Sequence, residues 1–269
     1  MFTGFRVTFD DAFIDEIEEY KEAGEEIFED HEETWHNAIN DYVNAGGILD
    51  ASKLMNDWFP KVKADIFLSH SHDDKEMLLC FAGWLNKEFG IKAFIDSTVW
   101  GYSDNLLQQM DNRYSHPEKN NGTTYDYKSC IRTSANVHLM LSIALENMID
   151  STECFMFIDT EKSIRKRINA EGKEEVKTGS PWIYDELRAY KIIRQQPLYI
   201  YRKQQMQFIN EAADDMRVEY DVTDEFNDLH ELDSYGLLEW ESHRKNKYAY
   251  WNMDKLYDLN GIDYQNQEL

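Results

Sequence analysis

Between residues 62 and 201, short apolar runs alternate with longer stretches whose apolar residues recur every three or four positions. That alternation predicts a parallel sheet with helices on both faces, because parallel strands are buried on both sides and are joined by crossover helices. The first strand is expected at residues 65–68. A helix over 74–89 follows, with Leu78, Phe81, Ala82, Leu85 and Phe89 along one side and Gly90 as its stop. A second strand over 92–95 leads into a loop at 96–103 and a helical stretch over 104–112. Residues 114–132 show little periodicity and read as a surface insertion or a lid. Val137, Leu141, Ala144, Leu145 and Met148 define a helix over 135–148. The run at 154–158 is apolar on both faces and is expected to be the central strand. A mobile segment over 161–179 separates it from a helix opening at Ser180 and Pro181, a normal N-cap and first-turn pair. Residues 198–201 supply a fourth strand and 216–220 a further candidate.

The flanks differ in character. From Asp10 to Glu33 there are thirteen acidic residues and one lysine, Lys21, while Phe13, Ile14, Ile17, Tyr20, Ala23, Ile27 and Phe28 recur at helical spacing. This predicts an amphipathic helix with a strongly acidic outer face, a second helix over 34–44, and a short third over 51–58 before Pro60. The expected organisation is an acidic helical segment at 1–60, an α/β domain at 61–205, and an α/β extension at 206–269 packed on that domain.

With 269 residues the chain can bury a full core, and 42% apolar residues exclude a disordered polymer. A net charge of −24 argues against nucleic acid as a partner. Arg165, Lys166, Arg167 and Lys173 form one basic patch, diluted by Glu171, Glu174 and Glu175. Cys80, Cys130 and Cys154 are odd in number and far apart, so neither a disulfide framework nor a cysteine-rich zinc site follows. No run reaches 18 apolar residues and no leader pattern opens the chain, so the expected location is cytoplasmic, without a membrane partner.

Candidate chemistry concentrates in ADIFLSHSHDD, residues 64–74, where an apolar run stops at a turn rich in Ser, His and Asp. In an open parallel sheet, ligands are held at the carboxyl ends of strands, beside backbone N–H groups at the next helix start. His70 and His72 could form an acid–base pair, since histidine titrates near neutrality. Alternation along a strand lets at most one of them face the crevice, and His70 is expected to face away from Ser69. The chain has no GxGxxG fingerprint and no P-loop, so a dinucleotide would be a consumed substrate and not a hydride cofactor.

The DIFLSHS strand, the FID strand leading into a glycine-containing loop, the apolar third strand and the helix carrying Trp182-x-x-x-Glu186 occur in order over about 140 residues. This set resembles a bacterial Toll/interleukin-1 receptor (TIR) domain, in particular the Thoeris-like anti-phage kind. The resemblance implies a flavodoxin-like α/β sheet and an NAD glycohydrolase or ADP-ribosyl cyclase with Glu186 as the catalytic residue. It also implies substrate contacts from Phe67, Ser69, Ser71, Asp96, Trp100, Tyr102 and Trp182. NAD is then the substrate, no cofactor or metal is expected, and self-association through the loop at 96–105 is. A separate effector protein sensing the product is a further implied partner. The alternative is a non-catalytic TIR interaction module. Independently of the resemblance, residues 182 and 186 lie one helical turn apart, so an indole and a carboxylate can border one pocket.

Overall fold

A computed structural model describes residues 1–32, 39–43, 48–59, 61–95, 97–116, 124–169, 171–193, 195, 220–221, 223–244 and 248–262. Its centre is a five-stranded, wholly parallel sheet. The strands are β1 (Thr3–Val7), β2 (Ile66–Ser69), β3 (Ala93–Ile95), β4 (Cys154–Ile158) and, near the end of the chain, β8 (His230–Leu232). Their order is β3-β2-β4-β1-β8. β2, β3 and β4 fall where the apolar runs put them, and β4 is the central strand as its two-sided hydrophobicity requires.

The architecture is compatible with a flavodoxin-like fold, with one change in the origin of its strands. In that fold the order 2-1-3-4-5 follows the chain. Here β3, β2 and β4 occupy the first three places, but the fourth is filled by β1 and the fifth by β8. The stretch at 1–60 was expected to be helical. Its first residues instead form a strand, with Thr3 opposite Cys154 and Val7 opposite Ile158. The expected strand at 198–201 lies outside the described residues.

Two apolar cores cover the sheet. On β2, Ile66 and Leu68 face one core and Phe67 the other; on β4, Cys154, Met156 and Ile158 oppose Phe155 and Phe157 in the same way. One face is covered by α1 (Asp11–Ile17), α4 (Lys75–Phe89), α9 (Ser234–Ser242) and α10 (Ala249–Leu259). The other carries α3 (Ala51–Trp58), α5 (Ser97–Tyr114), α6 (Tyr127–Ser151), α7 (Pro181–Ile192) and α8 (Thr223–Asn227). The crossover from β2 to β3 uses the first face and the return from β3 to β4 the second. Right-handed connections running in opposite directions require this.

The acidic helix α2 (Lys21–Glu32) lies across α4 at a crossing made by two glycines. A Cβ on Gly24 would stand 1.9 Å from the Leu79 carbonyl oxygen, and one on Gly83 would stand 2.1 Å from the Tyr20 carbonyl oxygen. Backbone therefore rests on backbone there, with no side chain between. At the end of α4, Gly90 takes φ 68, the left-handed conformation that closes a helix at least cost.

Three further expectations change. Residues 96–103 were expected as a loop, but α5 already begins at Ser97. Gly101 weakens a helix without breaking it, and no proline intervenes. Helix α6 starts at Tyr127, eight residues before its apolar periodicity begins, because Asp126 caps it by accepting from the Ser129 N–H. The segment at 161–179, expected to be mobile, contains an antiparallel pair, β5 (Arg165–Ile168) and β6 (Glu174–Thr178). All four residues of β5 are exposed, so this ladder has little apolar signature for a sequence pattern to reveal. Its turn is tied by the Asn169 side chain, which accepts from the Glu171 and Lys173 N–H groups. β7 (Tyr220–Asp221) adds a third strand on the far side of β6, where the candidate strand at 216–220 ends.

Candidate active site

Ser69 is the last residue of β2, and its side chain projects to the face on which α7 packs. Helix α7 opens with Ser180, whose hydroxyl accepts from the Ile183 N–H, and with Pro181 in its first turn. This start sets Ile183, Leu187 and Tyr190 into the core and brings Glu186 inward beside them. The Ser69 hydroxyl donates to Glu186 Oε2 at 2.6 Å. Ser69 is wholly buried and Glu186 is 1% exposed, so two residues 117 positions apart meet out of water. A buried carboxylate is costly unless hydrogen-bonded, and a hydroxyl donor to an ionised carboxylate makes a short, strong bond.

The other expected site residues divide. Trp182 is half-buried at the start of α7, one turn before Glu186, and its ring stacks on His138 of α6 with centroids 6.0 Å apart. Phe67 sits two residues before Ser69 on the same face, but its ring is enclosed between Phe94 and Phe155, at 5.4 and 5.7 Å. Ser71 lies beyond the strand end, and its carbonyl accepts from the Asp74 N–H in the turn. His70 is buried with Nδ1 3.2 Å from the Leu68 carbonyl, and His72 is exposed. Asp96 lies outside the described residues. Trp100 and Tyr102 fall in the first turns of α5, and their side chains also lie outside the described part.

The turn after β2 is locked to the turn after β4. Asp74 accepts from the Thr160 hydroxyl at 2.7 Å and pairs with Lys162 at 2.8 Å, while the Lys162 ammonium also donates to the Asp73 carbonyl. These contacts hold the carboxyl ends of adjacent strands in register beside Ser69.

A polar column between α6 and α7 was not anticipated. His138, Ser142 and Glu146 are spaced four apart on α6 and so share a face. His138 meets Trp182, and the Ser142 hydroxyl donates to the Asp185 carboxylate. Burial raises the Asp185 carboxyl above its usual range, offset in part by the Ser142 bond. Burial, and then the Asp185 charge, push Glu146 up to about 7. The four-residue spacing on α6 was visible in the sequence, but which turn of α7 it would meet was not.

Glu146 has a consequence for stability against pH. Between the ordinary value of 4.5 and about 7 the folded chain keeps a proton that the unfolded chain has lost. Stability is therefore intact below that window and falls as pH rises through it. The group is partly exposed, so screening reduces the effect to about 1–2 kcal/mol. Glu146→Gln is expected to raise the urea midpoint at pH 8 and to leave it nearly unchanged at pH 4. Parallel midpoints for the two proteins from pH 4 to 8 would contradict this account.

Among the described residues no group of three or more His, Cys, Asp or Glu is placed to hold a metal ion, and no helix is long and apolar enough to cross a membrane. A cavity of about 400 Å3 lies between α5 and α6, and neither Ser69 nor Glu186 lines it. Comparison of the chain with protein-family models, with curated proteins and with solved structures found no match.

Proposed function

We propose that this chain is an NAD-consuming enzyme of the TIR kind, acting in anti-phage defence. The observation that carries this reading is the buried Ser69–Glu186 hydrogen bond. It joins a strand-end hydroxyl to a helix carboxylate at the carboxyl edge of a parallel sheet, where such sheets bind ligands. In the proposed reaction the bond between ribose C1′ and the nicotinamide nitrogen breaks, and its electron pair leaves with neutral nicotinamide. The ribosyl cation is captured by water, which loses a proton to give ADP-ribose, or by a nucleophile of the same molecule to give a cyclic product. Glu186 holds the ribose and opposes the developing positive charge, an interaction worth far more in a dry site than in water. Ser69 orients that carboxylate, and Trp182, one turn before it on α7, borders the same pocket. Enclosure of Glu186 in the resting chain means that substrate entry must part α7 from the strand end.

Cytoplasmic location, self-association through the start of α5 and a separate protein that senses the product belong to the same proposal. A second reading is favoured by the enclosure itself: Ser69 and Glu186 form a structural staple in a non-catalytic interaction module. Incubating the purified protein with NAD and identifying every nucleotide product by mass spectrometry separates the two. Release of nicotinamide with ADP-ribose or a cyclic isomer is expected. Unchanged NAD over hours at micromolar protein, across a hundredfold concentration range, would favour the staple.

A further inference from the structure

The cavity between α5 and α6 is separate from the Ser69–Glu186 pair and has a chemistry of its own. Its volume of about 400 Å3 lies within the roughly 300–1,000 Å3 range of small-molecule sites. Leu49, Met110 and Met140 give it an apolar floor, and methionines adapt to ligands of varied outline. Tyr114, at the end of α5, and Arg132, on α6, also line it.

Most polar groups on the wall are already engaged. Thr133 donates to Asp111, Ser129 donates to Asp126, and the Asn136 amide donates to the Arg132 carbonyl. Two are not. The Tyr114 hydroxyl is buried without a hydrogen-bond partner. The Arg132 guanidinium makes no ion pair among the described residues. Leaving a buried hydroxyl unsatisfied costs about 1–3 kcal/mol, which a bound acceptor recovers. At the rim, His116 adopts φ 53, a left-handed conformation that histidine tolerates better than most residues.

We infer that this cavity binds a small amphipathic anion, an aromatic or aliphatic body bearing one carboxylate, with the body on Met110 and Met140 and the acid between Arg132 and the Tyr114 hydroxyl. A guanidinium and a phenol are both donors, so they select an acceptor-only group over a neutral amide.

The test uses the full chain, 1-naphthoate as probe and 1-naphthamide as its neutral counterpart, with affinities measured by titration calorimetry. Saturable binding of 1-naphthoate at one site is expected, with the amide at least tenfold weaker. Arg132→Gln, a surface change, should weaken 1-naphthoate at least tenfold, and Tyr114→Phe about threefold to tenfold, with far-UV circular dichroism unchanged. Met140→Trp should fill the cavity and remove binding. If that variant fails to fold, the Arg132 and Tyr114 variants carry the test alone. No saturable binding up to about 5 mM would overturn the inference. Equal affinity for the wild type and Arg132→Gln, or for the acid and the amide, would also overturn it.

Discussion

Replacing Glu186 with Gln is expected to lower NAD cleavage by about 100-fold or more while leaving the fold intact. The size follows from what the carboxylate does in the proposed reaction: it opposes a charge that exists only as the nicotinamide bond breaks. Binding of intact NAD changes less than turnover, so kcat falls more than KM rises. Stability should hold, because Gln keeps a carbonyl that accepts from Ser69 at a site 1% exposed. Ser69→Ala takes away the orienting bond alone and should cost roughly tenfold in turnover. Nicotinamide release under saturating NAD, beside thermal melting of each variant, measures both effects. A Glu186→Gln protein that melts normally and retains more than a tenth of wild-type turnover would remove Glu186 from the chemistry.

The largest effect on stability is expected at the glycine crossing of α2 and α4. In Gly24→Ala the new methyl meets the Leu79 carbonyl oxygen, and in Gly83→Ala it meets the Tyr20 carbonyl oxygen. Backbone oxygens cannot rotate away as a side chain would, so the helices must separate. Separation strips the apolar contacts that hold α2 on α4. Each substitution should cost about 3 kcal/mol, the upper part of the range for overpacking, even after the ~1 kcal/mol that alanine gains as a helix former. The double variant should cost less than the sum, because the first methyl already opens the gap the second needs. Urea unfolding reads this directly. An unchanged midpoint for Gly24→Ala would show that the two backbones do not touch.

How much of this was legible depended on whether a residue's fate was decided locally. β2, β3 and β4 announce themselves because each is apolar on both faces. β1 does not: Thr3, Gly4 and Arg6 interrupt its apolar residues, and Arg6 is met by Glu231, Asp159 and the Phe226 ring, all distant in sequence. β8 is still less visible, being the three residues His230, Glu231 and Leu232. The β5–β6 pair is held by its backbone ladder and a turn, which hydrophobic spacing does not record. For the candidate site, Ser69, Trp182 and Glu186 were picked out by resemblance, and the fold brings Ser69 and Glu186 together. Phe67 shares the face of Ser69 on β2, packed against Phe94 and Phe155. The Ser142–Asp185 bond and the Glu146 carboxyl depend on the register of two helices against each other, a property of the packed molecule that neither segment contains by itself.

The position of β1 also sets a timetable for folding. β1, the earliest of the described strands in chain order, is flanked by β4, about 150 residues later, and by β8, later still. Until residue 158 has been made, Thr3–Val7 has no partner in the sheet, and its second edge waits for residue 232. Such distant pairings raise the contact order and slow the search for the native arrangement. A chain halted near residue 205 would carry β1 with one edge open, a template for pairing with another chain. Addition of residues 230–232 is thus what covers the open edge of β1 in the course of synthesis.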